Sequence, residues 1–233
     1  MSAPDVRAFT VGPVQENSYI VRAGADATRA VIVDPGDEAE RLLGAIDALG
    51  VEIEAILITH CHFDHIGAVE PLARATGSPV YCPEIERPVL ADVMSWVPPG
   101  FGPFASYEAE HTVAGGEHLS LADLELDVIF TPGHSPGHVT YAVPGALLSG
   151  DVLFQGSVGR VDLPGGDWAT LERSIGSLVQ AYPPDTVVYP GHMGVTTLGR
   201  ELDSNPFLSE LRVRVPRETS TERSPADSPA ARS

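Results

Sequence analysis

Lysine is absent from this 233-residue chain: all 14 basic residues are arginine. Any anionic group on a ligand must therefore be held by Arg, by backbone N–H groups or by a metal ion. Positive charge is scarce altogether, with 14 basic against 32 acidic residues and a net charge of −18. That balance disfavours nucleic acid and anionic membrane surfaces as partners. Cysteine is almost missing too. Cys61 lies in a polar cluster and Cys82 closes an expected strand, so no disulfide is expected between them. Two unpaired thiols fit a reducing compartment. No run of about 18 apolar residues occurs and the N-terminal stretch carries no apolar signal segment, so a cytoplasmic protein without a membrane span is expected. What remains is 43% hydrophobic, enough to bury a sizeable core.

The apolar residues are arranged mostly as short strands. Val6–Val11, Ser18–Arg22, Ala30–Val33, Ala55–Ile58, Pro79–Cys82, Val139–Val143, Ala146–Leu148 and Thr186–Tyr189 read as strands, and Glu117–Leu121 with Leu124–Phe130 as a hairpin turning at Ala122-Asp123. Helical patterns cover 39–49, 68–76, a mixed stretch at 84–96, and 167–181 with Asp167 as its cap. Asp34, at the end of one strand, reads either as the cap of the helix over 39–49 or as a group that orients a metal ligand. The Pro/Gly-rich loop 98–104 carries Phe101 and Phe104 and reads as a packed surface loop or as the wall of a substrate groove. One domain over 1–215 is expected, followed by a disordered tail over 216–233, where no periodic apolar positions occur.

Chemistry concentrates after the strand that ends at Ile58. His60, His62, Asp64 and His65 fall within six residues, and so many polar groups at a strand end are costly unless something pairs with them. Imidazole nitrogen and carboxylate oxygen are donors that Zn, Fe and Mn accept. His134, Asp151 and His192 also follow apolar strands, as Asp34 does, so one sheet edge can gather all of them. His138 is a further candidate for orienting a ligand. His111 and His118 read as ordinary loop and hairpin residues.

Taken in order, Thr-His-x-His-x-Asp-His at 59–65, Pro-Gly-His-Ser-Pro-Gly-His at 132–138, Ser-Gly-Asp at 149–151 and Pro-Gly-His at 190–192 resemble the signature of the metallo-β-lactamase superfamily. The resemblance spans roughly 6–212. The stretch 154–167 and Asn205-Pro206-Phe207-Leu208 resemble the glyoxalase II-like, or hydroxyacylglutathione hydrolase-like, members. It implies a four-layer αββα sandwich, an α/β fold with two sheets face to face and a dinuclear site at one edge. His60, His62 and His134 would hold one divalent ion, Asp64, His65 and His192 a second, and Asp151 would bridge them. Zinc is the expected metal, with Fe or Mn compatible. Ala68, Val161 and Met193 stand where the pattern more often has Gly, Thr and Gly.

The implied activity is hydrolysis of a small acyl-thiol. Two cations would share a water, lower its pKa to about 7 and polarise the thioester carbonyl. Asp64 and Asp151 are the catalytic carboxylates. Arg160 either grips a substrate carboxylate or braces its loop against Asp162 or Asp167. Glyoxalase II proteins add a C-terminal helical region for glutathione, and no apolar pattern beyond Val215 could build one here. Glutathione, a shorter thioester and another small thiol therefore stay open. Alternatives on the same fold are a persulfide dioxygenase with one Fe(II) on His60, His134 and Asp151, opening of a lactone or β-lactam, and a non-catalytic metal-binding role. The Gly-Ser-Val-Gly-Arg loop at 156–160 differs from the Gly-Cys-Gly-Arg associated with the dioxygenases. Oligomeric state is not legible.

Overall fold

The computed structural model of the chain describes residues 3–214, so the tail expected over 216–233 lies outside the described residues. The first sheet contains β1 (Asp5–Val11), β2 (Glu16–Arg22), β3 (Arg29–Val33), β4 (Glu52–Leu57), β5 (Val80–Pro83) and β6 (His111–Val113), paired in chain order. β1 to β3 are antiparallel, whereas β3 to β6 run parallel. Parallel neighbours need crossovers. Helix α1 (Ala39–Leu49) supplies the first, and α2 (Phe63–Ile66) with α3 (Val69–Thr76) the second.

The second sheet pairs β7 (His118–Leu121), β8 (Leu124–Phe130), β9 (Val139–Val143) and β10 (Ala146–Gly150) as an antiparallel meander. The hairpin turn falls at Ala122-Asp123 as expected, both residues having positive φ (51° and 59°) as the tightest hairpin turns require. The short strands β11 (Leu153–Phe154) and β12 (Ser157–Val158) form a separate hairpin. After it, α5 (Trp168–Ala181) crosses back to β13 (Val187–Pro190), which lies parallel to β10 with β14 (Thr196–Thr197) at the edge.

Strand periodicity explains the layers. Val31 and Val33 join Tyr19, Val21 and Leu57 in facing the second sheet, where they meet Leu126, Val128, Tyr141 and Leu148. Ile32 and Ile56 point the other way, onto Leu42 and Ile46 of α1 and Leu72 of α3. Leu147 and Val188 face outward from the second sheet onto Leu171, Ile175 and Leu178 of α5. Strand segments covered on both faces must be apolar throughout, as β3 is after the exposed Arg29 at its edge. The result is the expected αββα sandwich. Among the described residues no helix is long and apolar enough to cross a membrane.

Three local expectations change. Asp34 does not cap α1: the N-cap is Glu38, because Pro35-Gly36 carry the chain on and the Asp34 carboxylate is engaged elsewhere. The mixed stretch over 84–96 breaks into a 3₁₀ turn (Glu84–Glu86), the helix α4 (Arg87–Ala91) and a second 3₁₀ turn (Val93–Ser95). Pro88 fits only the first turn of α4, where its missing N–H costs nothing. Beyond β14, helices α6 (Leu198–Ser204) and α7 (Ser209–Arg214), unforeseen in the sequence, close over α5. In the loop 98–104, Phe101 and Phe104 pack on the Phe63 ring, with centroids at 4.7 and 6.2 Å, as a packed surface loop would.

Candidate metal centre

The strand ends deliver His60, His62, Asp64, His65, His134, Asp151 and His192 to one place. His60 and His62 lie in the loop after β4, Asp64 and His65 on α2, His134 after β8, Asp151 directly after β10 and His192 after β13. His60 Nε2, His62 Nδ1 and His134 Nε2 form a triangle with sides of 3.0, 2.8 and 3.2 Å. Beside it, Asp64 Oδ2 lies 3.2 Å from His192 Nε2 and 3.9 Å from His65 Nε2. Asp151 stands between the groups. Its Oδ2 is 3.5 Å from His134 Nε2 and 3.6 Å from His192 Nε2, and its Oδ1 is 3.4 Å from His65 Nε2.

Hydrogen bonds on the outer ring nitrogens assign the tautomers. His134 Nδ1 donates to the Arg160 carbonyl at 2.7 Å, and His192 Nδ1 donates to the Gln15 carbonyl at 3.2 Å. His65 Nδ1 donates to Asp34 Oδ2 at 3.0 Å. His60 Nδ1 donates to Thr59 Oγ1, which passes its own proton to the same Asp34 oxygen at 2.6 Å. In the neutral rings all four Nε2 atoms are thereby left as acceptors turned into the cluster. Buried His65 Nε2 and Asp151 Oδ1 have no hydrogen-bond partner. Converging acceptors with no donor between them fit divalent cations, and nitrogen and oxygen donors of this kind suit Zn, Fe or Mn.

The sequence pattern of the metallo-beta-lactamase superfamily matches residues 11–192. The chain belongs to that superfamily. It is similar to hydroxyacylglutathione hydrolase GloC of Haemophilus influenzae, at 34% identity over 88% of this chain and 98% of the relative. Two solved structures are similar to it as well. The crystal structure of BLEG-1 B3 metallo-beta-lactamase is 40% identical, with a TM-score of 0.83, over 88% of this chain and 100% of that one. The crystal structure of TTHA1623 in a di-iron-bound form is 42% identical, with a TM-score of 0.71, over 87% and 100%. At that level the protein is a metal-dependent hydrolase of the superfamily.

This superfamily member buttresses its cluster from behind with residues of several kinds. Asp34 is held at φ 47°, a left-handed conformation that an L-residue adopts at a cost, and it aims its carboxylate at Thr59 and His65. The orienting reading of Asp34 is thus the one its contacts favour. His138 does the same for Asp151, its Nε2 accepting the Asp151 backbone N–H at 3.1 Å. Asn17 donates to the carbonyls of Pro190 and Met193, on either side of His192. Gly191 is needed at close approach, since a Cβ there would run into the Asp151 carboxylate and the His65 ring. By contrast His111 stacks on Tyr81 and His118 bonds Asp127 and Glu125 at the surface, both away from the site.

One supporting residue was invisible in the sequence. Buried Glu86 accepts from the Cys61 N–H at 3.0 Å with one oxygen, and from Ser135 Oγ and the Gly137 N–H at 2.5 and 2.9 Å with the other. It therefore straps the loop of His60 and His62 to the loop of His134. Cys61 is buried and lies 3.6 Å from the Cys82 thiol; both cysteines are free, as expected. Glu16 lies wholly buried behind His65, with Oε1 3.8 Å from the ring and unpaired.

Electrostatics divide the centre in two. Burial, reinforced by neighbouring imidazoles, pushes His60 and His138 well below their ordinary range and His62 down to about 4. All three rings are neutral at neutral pH, which leaves His60 and His62 open to a cation while His138 accepts the Asp151 N–H. For Asp151 burial pushes upward, but His65, with help from His134 and His192, overrides it and holds the carboxyl far below its usual range. Asp64 is likewise lowered, the His192 bond overriding burial. Burial would lower His65 and His192, yet the facing carboxylates raise both: Asp151, Asp34 and Asp64 for His65, and Asp64 then Asp151 for His192.

In front of the cluster lies a cleft of about 780 Å³ that His62, Asp64, His134, Asp151 and His192 share with apolar side chains. Met193, at φ 68°, forms part of its wall, as do Trp96 and Pro98. Arg160 reaches the cleft, but its guanidinium is held by Asp162 through two bonds of 2.7 Å.

Proposed function

We propose that this chain is a dinuclear metallo-hydrolase that cleaves thioesters. The observation that carries the reading is the position of Asp151, whose two oxygens face both nitrogen clusters. His60, His62 and His134 would hold one divalent ion and Asp64, His65 and His192 the other, with Asp151 placed to serve both. Zinc is the expected metal; iron, as in the di-iron neighbour, and manganese suit the same donors. When bound, the pair supplies Lewis acidity and a water acidified to a pKa of about 7.

The protein groups have distinct tasks. Asp34 fixes the tautomers of His60 and His65, so that a ligand of each ion answers to one carboxylate. Asp64, kept ionised, orients the attacking water by accepting its proton in a hydrogen bond. Glu86 and His138 keep the ligand loops and Asp151 from drifting. Once the imidazoles are metal ligands, the described residues lining the cleft offer no group that donates a proton at neutral pH, Glu86 being occupied as an acceptor. The leaving group must therefore depart as an anion, which a thiolate does far more readily than an amine. The likeness to GloC and the Gly-rich stretch 154–167 support the same choice.

A lone Fe(II) on His60, His134 and Asp151 would leave Asp64, His65 and His192 converging on nothing, so the dioxygenase reading accounts for less of the site. Metal analysis with a thiol-release assay tests the proposal. About two metals per chain, with thiol released from S-lactoylglutathione or a simpler thioester, is expected. Oxygen uptake with a glutathione persulfide, or opening of a β-lactam without release of any thiol, would overturn it.

A further inference from the structure

We infer that the cleft selects thioesters of neutral, apolar character and discriminates against those of anionic thiols such as glutathione. This rests on the thioester reading and names its substrate class. Three observations carry it.

The first is where the exposed apolar surface lies. Of nine large hydrophobic side chains exposed among the described residues, four (Val14, Ile85, Trp96 and Met193) line this one cleft. Ile85, Trp96 and Met193 are 57%, 58% and 59% exposed, the three highest values of the nine. Val89, Phe154 and Leu163 extend the same lining. Apolar surface gathered beside a polar centre marks a site that removes an apolar ligand from water.

The second is charge. Apart from imidazoles, Arg160 is the one basic side chain among the described residues lining the cleft. Asp162 already holds it with two bonds in the paired geometry that a ligand carboxylate would need. A thiol with two carboxylates, as glutathione has, would have to displace Asp162 or leave them without a protein partner.

The third is the chain as a whole. With no lysine and a net charge of −18, the long-range field opposes anions. A neutral thioester meets neither obstacle, and its acyl chain gains by covering Trp96 and Ile85. The reaction is balanced by water alone: water adds to the acyl carbon, the carbon–sulfur bond breaks, and a carboxylate, a proton and the free thiol leave.

The test compares kcat/KM of the metal-loaded full chain on three probes: S-hexanoyl-N-acetylcysteamine, S-acetyl-N-acetylcysteamine and S-hexanoylglutathione. The first should exceed each of the others by at least tenfold. Trp96→Ala should shrink the advantage of hexanoyl over acetyl, and Asp162→Asn, by freeing Arg160, should shrink the advantage over the glutathione ester. A glutathione ester hydrolysed as well as its neutral counterpart overturns the inference while leaving thioester hydrolysis intact. Release of thiol from none of the three contradicts the thioester reading itself, and the inference falls with it.

Discussion

Asp34 and His65 meet at 3.0 Å, carboxylate Oδ2 to ring Nδ1, and the same oxygen takes the proton of Thr59, on which His60 rests. One side chain thus sets the ring orientation of a ligand in each half of the centre. Asp34→Asn is the informative change, because Asn tolerates the left-handed backbone that Asp34 adopts. Asp34 accepts with both oxygens, Oδ1 from the Thr59 N–H and Oδ2 from the Thr59 hydroxyl and the His65 ring, whereas Asn accepts with one and turns an NH2 group to the other donor site. Metal affinity should fall by about 10- to 100-fold, measured by competition with a chelator, while the fold persists by circular dichroism. Unchanged affinity would show that the ligands orient themselves.

Glu86 predicts a separation of stability from metal binding. Glu86→Ala leaves Cys61 N–H, Gly137 N–H and the Ser135 hydroxyl buried without their acceptor, at a cost of about 3 kcal/mol or more in unfolding experiments. Glu86→Gln keeps the shape but accepts through one oxygen only. It should remain folded and lose affinity at the ion bound by His60, His62 and His134, seen as a change in the visible spectrum of the cobalt-substituted protein. A spectrum identical to wild type would limit Glu86 to packing.

Metal-free protein should have a stability optimum near pH 6.5. His60, His62 and His138 are lowered from 6.5 in the fold, His62 to about 4, so between these values the unfolded chain binds more protons and stability falls as the pH drops. Glu16, raised above 4.5 by burial, opposes this trend but offsets only one of the three rings. His65 and His192 are raised, so their contribution is fully present below 6.5 and is lost as the pH climbs through their folded values. Thermal melts of chelator-treated protein from pH 4 to 9 should therefore fall away on both sides of 6.5. Metal loading should abolish the alkaline decline, since ligated His65 and His192 carry no extra proton. A metal-free protein whose melting temperature rises steadily to pH 9 would contradict this.

Gly191→Ala asks whether the backbone must lie against the ligands. A methyl group there collides with Asp151 and His65, so one metal per chain should be lost while the melting temperature of the metal-free protein changes by only a few degrees. Retention of both metals would show that the loop gives way.

The residues that converge in the cluster were legible because each follows an apolar strand in a Gly- or Pro-framed loop, and chemistry at a strand end leaves a local trace. The unbroken apolar runs Ala30–Val33 and Ala146–Leu148 were legible as strands, and burial on both faces is why they hold no polar position. Glu86 left no such trace. Its partners are mostly backbone N–H groups, which no side-chain pattern reveals, and it sits in a segment broken by Pro88. Asp34 was ambiguous because a strand-end Asp before a helical pattern resembles a cap, and only its contacts with Thr59 and His65 decide. Helices α6 and α7 are short, and Leu198 and Leu211 on them, with Leu208 in the turn between, become meaningful only once α5 is there to receive them.

The central claim is that Asp151 joins two metal sites. Anomalous diffraction from crystals of the metal-loaded protein tests it most directly. Two peaks are predicted, one among His60, His62 and His134 and one among Asp64, His65 and His192, with Asp151 touching both. A single peak held by His60, His134 and Asp151, with Asp64, His65 and His192 free of metal at saturating concentration, would contradict it.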